Sequence, residues 1–284
     1  MEGLSVGDAF GEQFLRQPAG LFARLQRREV LDGPWPYTDD TVMAMSIVES
    51  LACHGGIDQD WLARRFGEKF ALDPWRGYGG TAHAILSDLA RGADWRRVAA
   101  AAFGGAGSMG NGGAMRAGPI GAYFAGDLTT AAVEARRSAE VTHAHPEGQA
   151  GAIAVAAAAA WAAAHPSDAS GLFDAVLDVV PAGPTRDAIA QAARLPSEAA
   201  LDDVVQRLGN GLRVLAQDTV PFALWCARHW IDDYEGALWT AVSRFGDCDT
   251  LGAIVGGIVA LSPRAVIPEA WRQRREPLTT FLRV

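Results

Sequence analysis

The sequence predicts an all-α fold, organised as one domain over residues 1–284, and two observations carry this prediction. Apolar residues recur at helical spacing through most of the chain, while the alternating apolar and polar runs typical of strands are nearly absent. The stretches between the periodic segments have the turn chemistry of glycine and proline, as in Asp32-Gly33-Pro34. We find no internal repeat and no long low-complexity linker, so a single compact domain is the simplest account.

The predicted helices follow one another with short connections. The first clear example is residues 39–51, where apolar residues recur at near-helical spacing, at Val42, Met45, Ile47, Val48 and Leu51. The same pattern predicts helices over residues 58–70, 81–89, 95–103, 128–141, 147–164, 170–180, 186–195, 209–217, 221–230, 234–244 and 250–261. The alanine-rich run at 152–164 is about half the length that a bilayer requires, so we expect it to form a buried helix.

Composition excludes several classes of protein. The formal net charge is −8 and Lys69 is the only lysine, which argues against general nucleic-acid binding. The three cysteines are scattered and form no Cys-x-x-Cys pair, so neither a disulfide framework nor a zinc site is expected. The first residues lack the basic and apolar regions of a secretory signal. We therefore expect a cytoplasmic protein with no membrane association.

Two acidic segments near opposite ends of the chain carry the strongest chemical signal. The first acidic segment, residues 38–41, reads Thr38-Asp39-Asp40-Thr41, and the second, residues 247–250, contains Asp247, Asp249 and Thr250. Carboxylate and hydroxyl oxygens are ligands for Mg²⁺ or Ca²⁺ rather than for zinc or copper. Helix capping is the alternative, and it explains one carboxylate at a helix start but not two or three. Neither segment fits the twelve-residue calcium-binding loop.

A glycine-rich segment, residues 103–116, is the second notable feature. Its many glycines allow backbone N–H groups to approach an anion closely. The Gly-Lys-Ser/Thr of a P-loop is missing, and no strand precedes the segment as a dinucleotide-binding turn requires. On its own, such a segment is more often a flexible connector. No nucleophile elbow is present either, because Ser108 lies inside this segment and does not follow a strand.

The third feature is Thr142-His143-Ala144-His145. Two histidines at positions i and i+2 would point apart on a helix, so they could share a metal ion only in an extended segment. We therefore favour a ligand-contacting role for one of the two over metal ligation by the pair.

Six motifs together resemble the ADP-ribosylglycohydrolase family, in the family's order and across most of the chain. They lie at residues 7–11, 38–41, 76–79, 107–116, 142–143 and 246–250. The residues of the central motifs most resemble those of the branch that acts on ADP-ribosyl-serine and related O-linked ADP-ribose. The resemblance implies an orthogonal helical bundle with two Mg²⁺ ions at the base of an acidic cleft, for which Mn²⁺ or Ca²⁺ could substitute.

The resemblance also implies roles for individual residues. One ion would be held by Thr38, Asp39, Asp40 and Asp249, and the other by Asp247, Asp249 and Thr250. The diphosphate would lie on Gly107, Ser108, Gly110, Asn111 and Gly112, with Met109 in the same loop. Phe103 would contact adenine, His143 the distal ribose or the phosphates, and Gly77, Tyr78 and Gly79 would form a second ligand-lining loop. Asp39 and Asp249 are the candidates for the catalytic carboxylate.

The implied function is Mg²⁺-dependent removal of ADP-ribose from modified macromolecules or O-linked conjugates. The bond at the anomeric carbon of the distal ribose would be cleaved through an oxocarbenium-like state, as in other glycosidases. The expected partner is ADP-ribose or an ADP-ribosylated conjugate, and the protein is expected to be a monomer. The alternatives are a non-catalytic ADP-ribose-binding protein and an immunity protein against an ADP-ribosylating toxin. Intact Asp39, Asp40, Asp247 and Asp249 favour the enzyme, because a degenerate relative would be expected to lose ligands.

Two positions depart from the family pattern. Leu15 stands where relatives often have a glutamate that contributes to the metal site, and Glu12 nearby is out of register. Met109 stands where the nearest branch has an aromatic residue, which would weaken stacking on adenine.

Overall fold

The structure, a computed structural model, describes residues 1–15 and 20–278, and it is built from helices. No β-strand occurs within these ranges; two isolated bridges pair Trp35 with Arg275 and Gly110 with Leu215. The all-α prediction is confirmed.

The helices are short to medium in length and follow each other closely. In chain order they are α1 (Glu2–Leu15), α2 (Leu21–Arg27), α3 (Asp39–His54), α4 (Gln59–Leu72), α5 (Gly80–Ala90), α6 (Trp95–Ala101), α7 (Gly118–Tyr123), α8 (Leu128–Glu140), α9 (Pro146–Ala164), α10 (Leu172–Val179), α11 (Pro184–Arg194), α12 (Leu201–Leu208), α13 (Ala216–His229), α14 (Tyr234–Val242), α15 (Cys248–Val259) and α16 (Glu269–Arg274). Two 3₁₀ turns, Ala102–Gly105 and Asn111–Gly113, lie in the glycine-rich segment.

One predicted helix, at residues 209–217, is wrong. Gly209, Gly211 and Val214 have φ angles of 84°, 83° and 56°, so the segment forms a loop and α13 begins only at Ala216. Helices α1, α2, α7, α12 and α16 were not predicted. Glycine has a low intrinsic helix propensity, which hides α1 because this helix contains Gly3, Gly7 and Gly11.

These glycines allow α1 to pack unusually closely against α15. A Cβ atom built at Gly7 would lie 2.0 Å from the carbonyl oxygen of Gly252, and one at Gly252 would lie 2.1 Å from the carbonyl oxygen of Gly7. Gly11 approaches the carbonyl oxygen of Cys248 equally closely, at 2.0 Å. Any larger residue would force the two backbones apart. The contact places Asp8, the residue after Gly7, beside the start of α15.

Helix α9 forms the centre of the core, as expected for the alanine-rich run. Residues Ala152 to Ala160 are all buried, and the helix packs against α7, α8, α10 and α13. No helix in the described part of the chain combines the length and the apolar character needed to cross a membrane.

Candidate functional site

The first acidic segment lies at the start of α3. Thr38 is the N-cap, and its hydroxyl oxygen accepts a hydrogen bond of 3.4 Å from the backbone N–H of Asp40. The hydroxyl also lies 3.0 Å from Oδ2 of Asp40. Capping therefore accounts for Thr38 and leaves the buried carboxyl groups of Asp39 and Asp40 unexplained by secondary structure.

Asp8 of α1 holds this segment in place. Its carboxylate accepts hydrogen bonds from the backbone N–H groups of Thr38 and Thr41, at 3.0 and 3.1 Å to Oδ2. The hydroxyls of Thr38 and Thr41 donate to the same carboxylate, at 2.8 and 2.5 Å. Sequence reasoning recognised the motif at residues 7–11 but gave Asp8 no role. Because α1 was not predicted, nothing in the sequence indicated that the Asp8 side chain points towards residues 38–41.

The second acidic segment lies at the start of α15. Asp247 occupies the N-cap position without capping the helix through its side chain, and Oδ1 of Asp249 accepts a 2.9 Å hydrogen bond from the backbone N–H of Thr250. The side-chain amide of Asn111 donates to Oδ2 of Asp247 at 2.6 Å and to the hydroxyl of Thr219 at 2.9 Å. The glycine-rich segment is therefore joined directly to the second acidic segment.

The two acidic segments lie within electrostatic reach of each other. Burial, reinforced by the charges of Asp8 and Asp247, raises the pKa of Asp39 to about 8. Burial and the charges of Asp40 and Asp247 raise the pKa of Asp249 well above its usual range. The pKa of Asp40 is raised well above its usual range by burial and then by the charges of neighbouring aspartates. Carboxylates from both ends of the chain thus form one buried acidic site.

The acidic site has the donor chemistry that the sequence predicted for divalent cations. All of the predicted ligand atoms are carboxylate or hydroxyl oxygens, and Oδ1 of Asp40 is buried with no hydrogen-bond partner. A cation would satisfy that oxygen, and its charge would favour the ionised carboxylates, which burial and then mutual repulsion disfavour. In the side-chain conformations of the described residues, no three His, Cys, Asp or Glu groups are gathered as metal ligands. Binding would therefore require these carboxylates to turn towards the ion, and the predicted ligand sets stay predictions.

The glycine-rich segment wraps one side of this site. Ser108 and Asn111 are buried, and Gly107, with a φ of 77°, leaves no room for a side chain because a Cβ atom would lie 2.5 Å from the backbone nitrogen of His145. The hydroxyl oxygen of Ser108 accepts a 3.1 Å hydrogen bond from the N–H of Gly110. Phe103, expected to contact adenine, is 65% exposed at the start of the segment with a φ of 52°.

The loop at residues 209–215 is hydrogen-bonded to the glycine-rich segment through backbone groups. The carbonyl oxygen of Val214 accepts a 3.2 Å hydrogen bond from the N–H of Asn111, and the N–H of Ala216 donates to the carbonyl oxygen of Met109 at 3.0 Å. At its other end, the carbonyl oxygen of Asn210 accepts a 3.1 Å hydrogen bond from the N–H of Asp247. This loop, predicted to be helical, instead connects the two predicted ligand-binding elements.

The two histidines have separate surroundings. The Nδ1 atom of His145 accepts a 3.1 Å hydrogen bond from the N–H of Glu147 and caps α9. His143 is buried, and its Nε2 atom lies 3.4 Å from the Cβ positions that Gly110 and Gly112 would have. Burial, with a smaller effect from the Arg116 charge, lowers the pKa of His143 to about 3. The structure thus places a neutral His143 against the glycine-rich segment, and among the described residues the two rings have different hydrogen-bond partners.

The second predicted ligand-lining loop, residues 77–79, lies against the first acidic segment. A Cβ atom at Gly77 would lie 3.4 Å from Oδ1 of Asp39, and the carbonyl oxygen of Arg76 accepts a 2.7 Å hydrogen bond from the N–H of Asp39. Burial and then the Asp39 charge raise the pKa of Tyr78. Gly77 and Gly79 are exposed, so this loop forms part of the surface around the site.

The two departures from the family pattern lie in different surroundings. Leu15 is the last residue of α1 and is 40% exposed, and its aliphatic side chain has no oxygen to offer a cation. Met109 is half-buried within the glycine-rich segment.

Comparison with known proteins agrees with this arrangement. The ADP-ribosylglycohydrolase family profile matches residues 1–283. The chain is 31% identical over 273 residues to ADP-ribosylhydrolase ARH3 of Homo sapiens, covering 84% of this chain and 74% of that protein. It is 32% identical over 285 residues to an uncharacterized protein of Archaeoglobus fulgidus, covering 95% of this chain and 88% of that one.

A solved structure gives the same result for the fold. The chain matches one described as an ADP-ribosylglycohydrolase-related protein complex, with a TM-score of 0.69 and 25% sequence identity. The match covers 95% of this chain and 88% of that chain.

Proposed function

The chain belongs to the ADP-ribosylglycohydrolase family and is a glycosidic-bond hydrolase, and we propose that it releases ADP-ribose from O-linked conjugates with the help of two Mg²⁺ ions. The ADP-ribosylhydrolases ARH3 among its relatives support an ADP-ribosylated substrate. The choice of an O-linkage, such as that to serine, rests on the resemblance of residues 107–116 and 142–143 to the motifs of the branch that cleaves such linkages.

The hydrogen bond between Asn111 and Asp247 is the observation that carries this proposal. In ADP-ribose the distal ribose is attached directly to the diphosphate. A ligand whose diphosphate lies on the glycine-rich segment therefore has its distal ribose within a few bonds of that segment. Because Asn111 belongs to the segment and Asp247 to the acidic site, the anomeric carbon would lie over the carboxylates.

The glycine-rich segment explains how an acidic protein accepts an anionic ligand. The net charge of −8 disfavours anions at long range. Backbone N–H groups presented by glycines form short-range anion sites that need no positively charged side chain. The proposed diphosphate contacts lie at Gly107, Ser108, Gly110, Asn111 and Gly112. In the structure the N–H groups of Gly107, Gly110 and Asn111 donate to Ala102, Ser108 and Val214, so these three groups would have to exchange partners to bind the diphosphate.

The proposed metal ligands are those predicted from the sequence. Thr38, Asp39, Asp40 and Asp249 would hold one ion, and Asp247, Asp249 and Thr250 the other. When bound, such ions supply positive charge that orients the ribose hydroxyls and stabilises charge developing at the reacting centre. Asp8 does not face the ligand in this scheme, because its carboxylate is occupied by Thr38 and Thr41. Asp8 fixes the position of the first acidic segment.

The carboxylates would perform the chemistry. The bond between the anomeric carbon and the conjugate oxygen breaks, and a positive charge develops on the ribose. The neighbouring carboxylates stabilise this charge, and Asp39 or Asp249 accepts a proton from the attacking water. The water oxygen bonds to the anomeric carbon, and the proton that the carboxylate accepted from the water passes to the departing oxygen, which balances the reaction. The products are ADP-ribose and the free hydroxyl of the conjugate.

The test is to incubate the purified protein with ADP-ribose linked to serine, to arginine and to a nucleic-acid base, and with poly-ADP-ribose, and to measure released ADP-ribose. We expect release from the serine conjugate in Mg²⁺ and none after chelation. Binding of ADP-ribose without release from any conjugate would contradict hydrolysis and would favour a binding protein. Full activity after thorough chelation would contradict the proposed metal dependence.

A further inference from the structure

Arg116 is a fully buried cation, with 1% of the residue exposed. Within the described ranges its hydrogen-bond acceptors are all neutral atoms, and no salt bridge joins it to a carboxylate. Nη1 donates a 3.1 Å hydrogen bond to the carbonyl oxygen of Gly112, and Nη2 donates at 2.9 Å to both the carbonyl oxygen of Ser138 and the hydroxyl oxygen of Thr142. The guanidinium also lies 4.7 Å from the centre of the Phe66 ring. Burial lowers its pKa to about 9, so it remains charged at neutral pH.

These contacts determine which neighbour of Thr142 accepts the hydrogen bond that its hydroxyl donates. Thr142 is buried, and its Oγ1 atom has two neighbours in hydrogen-bond range among the described residues, Nη2 of Arg116 and Nδ1 of His143. A guanidinium is only a donor, so the hydroxyl oxygen accepts from Arg116. The hydroxyl hydrogen then has one available acceptor, which is Nδ1 of His143 at 2.7 Å. If Nδ1 carried a proton instead, it would donate to the second lone pair of the hydroxyl oxygen, and the hydroxyl hydrogen would be left unpaired in a buried site.

We infer that Thr142 is a positioning residue which, oriented by Arg116, holds His143 in the neutral tautomer with its proton on Nε2. A neutral imidazole has one donor nitrogen and one acceptor nitrogen, so accepting at Nδ1 makes Nε2 the donor. Nε2 faces Gly110 and Gly112 of the glycine-rich segment.

The tautomer determines which ligand atoms His143 is able to bind. The oxygens of a diphosphate only accept hydrogen bonds, so an Nε2–H group would bind them and an unprotonated Nε2 would repel them. The identity of this acceptor rests on the proposed function, whereas the tautomer does not. The same carbonyl of Gly112 that Arg116 contacts belongs to the glycine-rich segment, so one cation supports both the segment and the histidine.

The tautomer is measured directly by nitrogen NMR of the protein labelled with ¹⁵N-histidine. The chain has six histidines, and the His143→Gln variant assigns the signals of His143. We expect a proton-bearing Nε2 and a proton-free Nδ1 in the wild type. Thr142→Val removes the hydroxyl at nearly constant shape, and Thr142→Ser retains it as the matched control. The valine variant should lose the preference for Nε2–H and the serine variant should keep it.

The second readout is the affinity for free ADP-ribose, measured by calorimetry. We expect about tenfold weaker binding in Thr142→Val and nearly unchanged binding in Thr142→Ser, since one hydrogen bond to a charged acceptor is lost. A proton on Nδ1 in the wild type, or an unchanged tautomer in Thr142→Val, would overturn the inference. If the wild type bound no ADP-ribose, the proposed function would fail, and the nitrogen spectra would still decide the tautomer.

Discussion

The side-chain amide of Asn111 donates a 2.6 Å hydrogen bond to Oδ2 of Asp247, a residue 136 positions further along the chain. The same amide donates at 2.9 Å to the hydroxyl of Thr219 on α13. Three separate parts of the chain are fixed at this point: the glycine-rich segment, α13 and the start of α15. The Asn111 side chain, together with the backbone hydrogen bonds of the loop at residues 209–215, therefore fixes the proposed diphosphate site relative to the acidic site.

Asn111→Asp tests this connection. The aspartate retains the shape of asparagine but replaces the donor with a carboxylate facing Asp247, which is repulsive at short range. We expect hydrolysis of the O-linked conjugate to fall by about 100-fold or more, because the ligand would be displaced from the reacting groups. Thr219→Val is the matched control. It removes the other acceptor of the amide, together with the hydroxyl's own 3.0 Å hydrogen bond to the carbonyl oxygen of Leu215, and leaves the contact with Asp247 in place. It should cause a clearly smaller loss, and equal losses in steady-state assays would contradict the role given to Asp247.

The close packing of α1 on α15 predicts different outcomes at two glycines of the same helix. Gly252→Ala would place a methyl group 2.1 Å from the carbonyl oxygen of Gly7, and we expect it to lower the free energy of unfolding by about 3 kcal/mol or to prevent folding. Gly257→Ala is the control, since its Cβ atom would make an ordinary contact of 3.5 Å with Leu4. That change should be neutral or stabilising by up to about 1 kcal/mol. Urea unfolding measures both, and similar stabilities for the two variants would contradict the packing described.

Asp39→Asn and Asp249→Asn should separate activity from stability. Both carboxyls are buried among like charges, as their raised pKa values indicate, so neutralising one relieves repulsion in the metal-free protein. We expect release of ADP-ribose to be abolished. The free energy of unfolding at pH 8 in a chelator should stay level or rise by about 1 kcal/mol. Asp178→Asn, at an exposed position on α10, should change neither quantity. Wild-type-like turnover in both active-site variants would refute the site assignment.

His143 predicts a component of the pH dependence of stability. Burial lowers its pKa from 6.5 to about 3, so the unfolded chain takes up a proton at a higher pH than the folded protein does. The stability contributed by the neutral ring is fully present above pH 6.5 and is lost as the pH falls towards 3. The carboxyls with raised pKa values act in the opposite direction, so the informative quantity is the difference between wild type and His143→Gln. Urea titrations from pH 7 to 4 should show the wild type losing more stability than the variant, and parallel curves would contradict a buried neutral ring.

Most of the helical architecture follows from periodicity, but the helix at residues 2–15 does not. Its glycines lower the local helix propensity. Glycine is required there because the helix packs closely against Gly252 and Cys248, more than two hundred residues away. The reverse error occurred at residues 209–217. Apolar residues there suggested a helix, yet positive φ angles at Gly209, Gly211 and Val214 form a loop that joins the glycine-rich segment to Asp247.

The acidic segments and the glycine-rich segment were recognisable in the sequence, because binding cations and anions requires particular residue types. The residues that support these segments were not identified. Asp8, Thr142 and Arg116 were visible within motifs, but their roles depend on which side chains they face in three dimensions. A buried arginine with no carboxylate partner has no signature in a single sequence.

Anomalous diffraction from crystals grown with Mn²⁺ tests whether residues 38–41 and 247–250 form one divalent-cation site. We expect two anomalous peaks between these segments, with Asp249 contacting both ions. We also expect the peaks to disappear in Asp249→Asn. Well-occupied Mn²⁺ elsewhere in the crystal with no peak between the two segments would contradict this site.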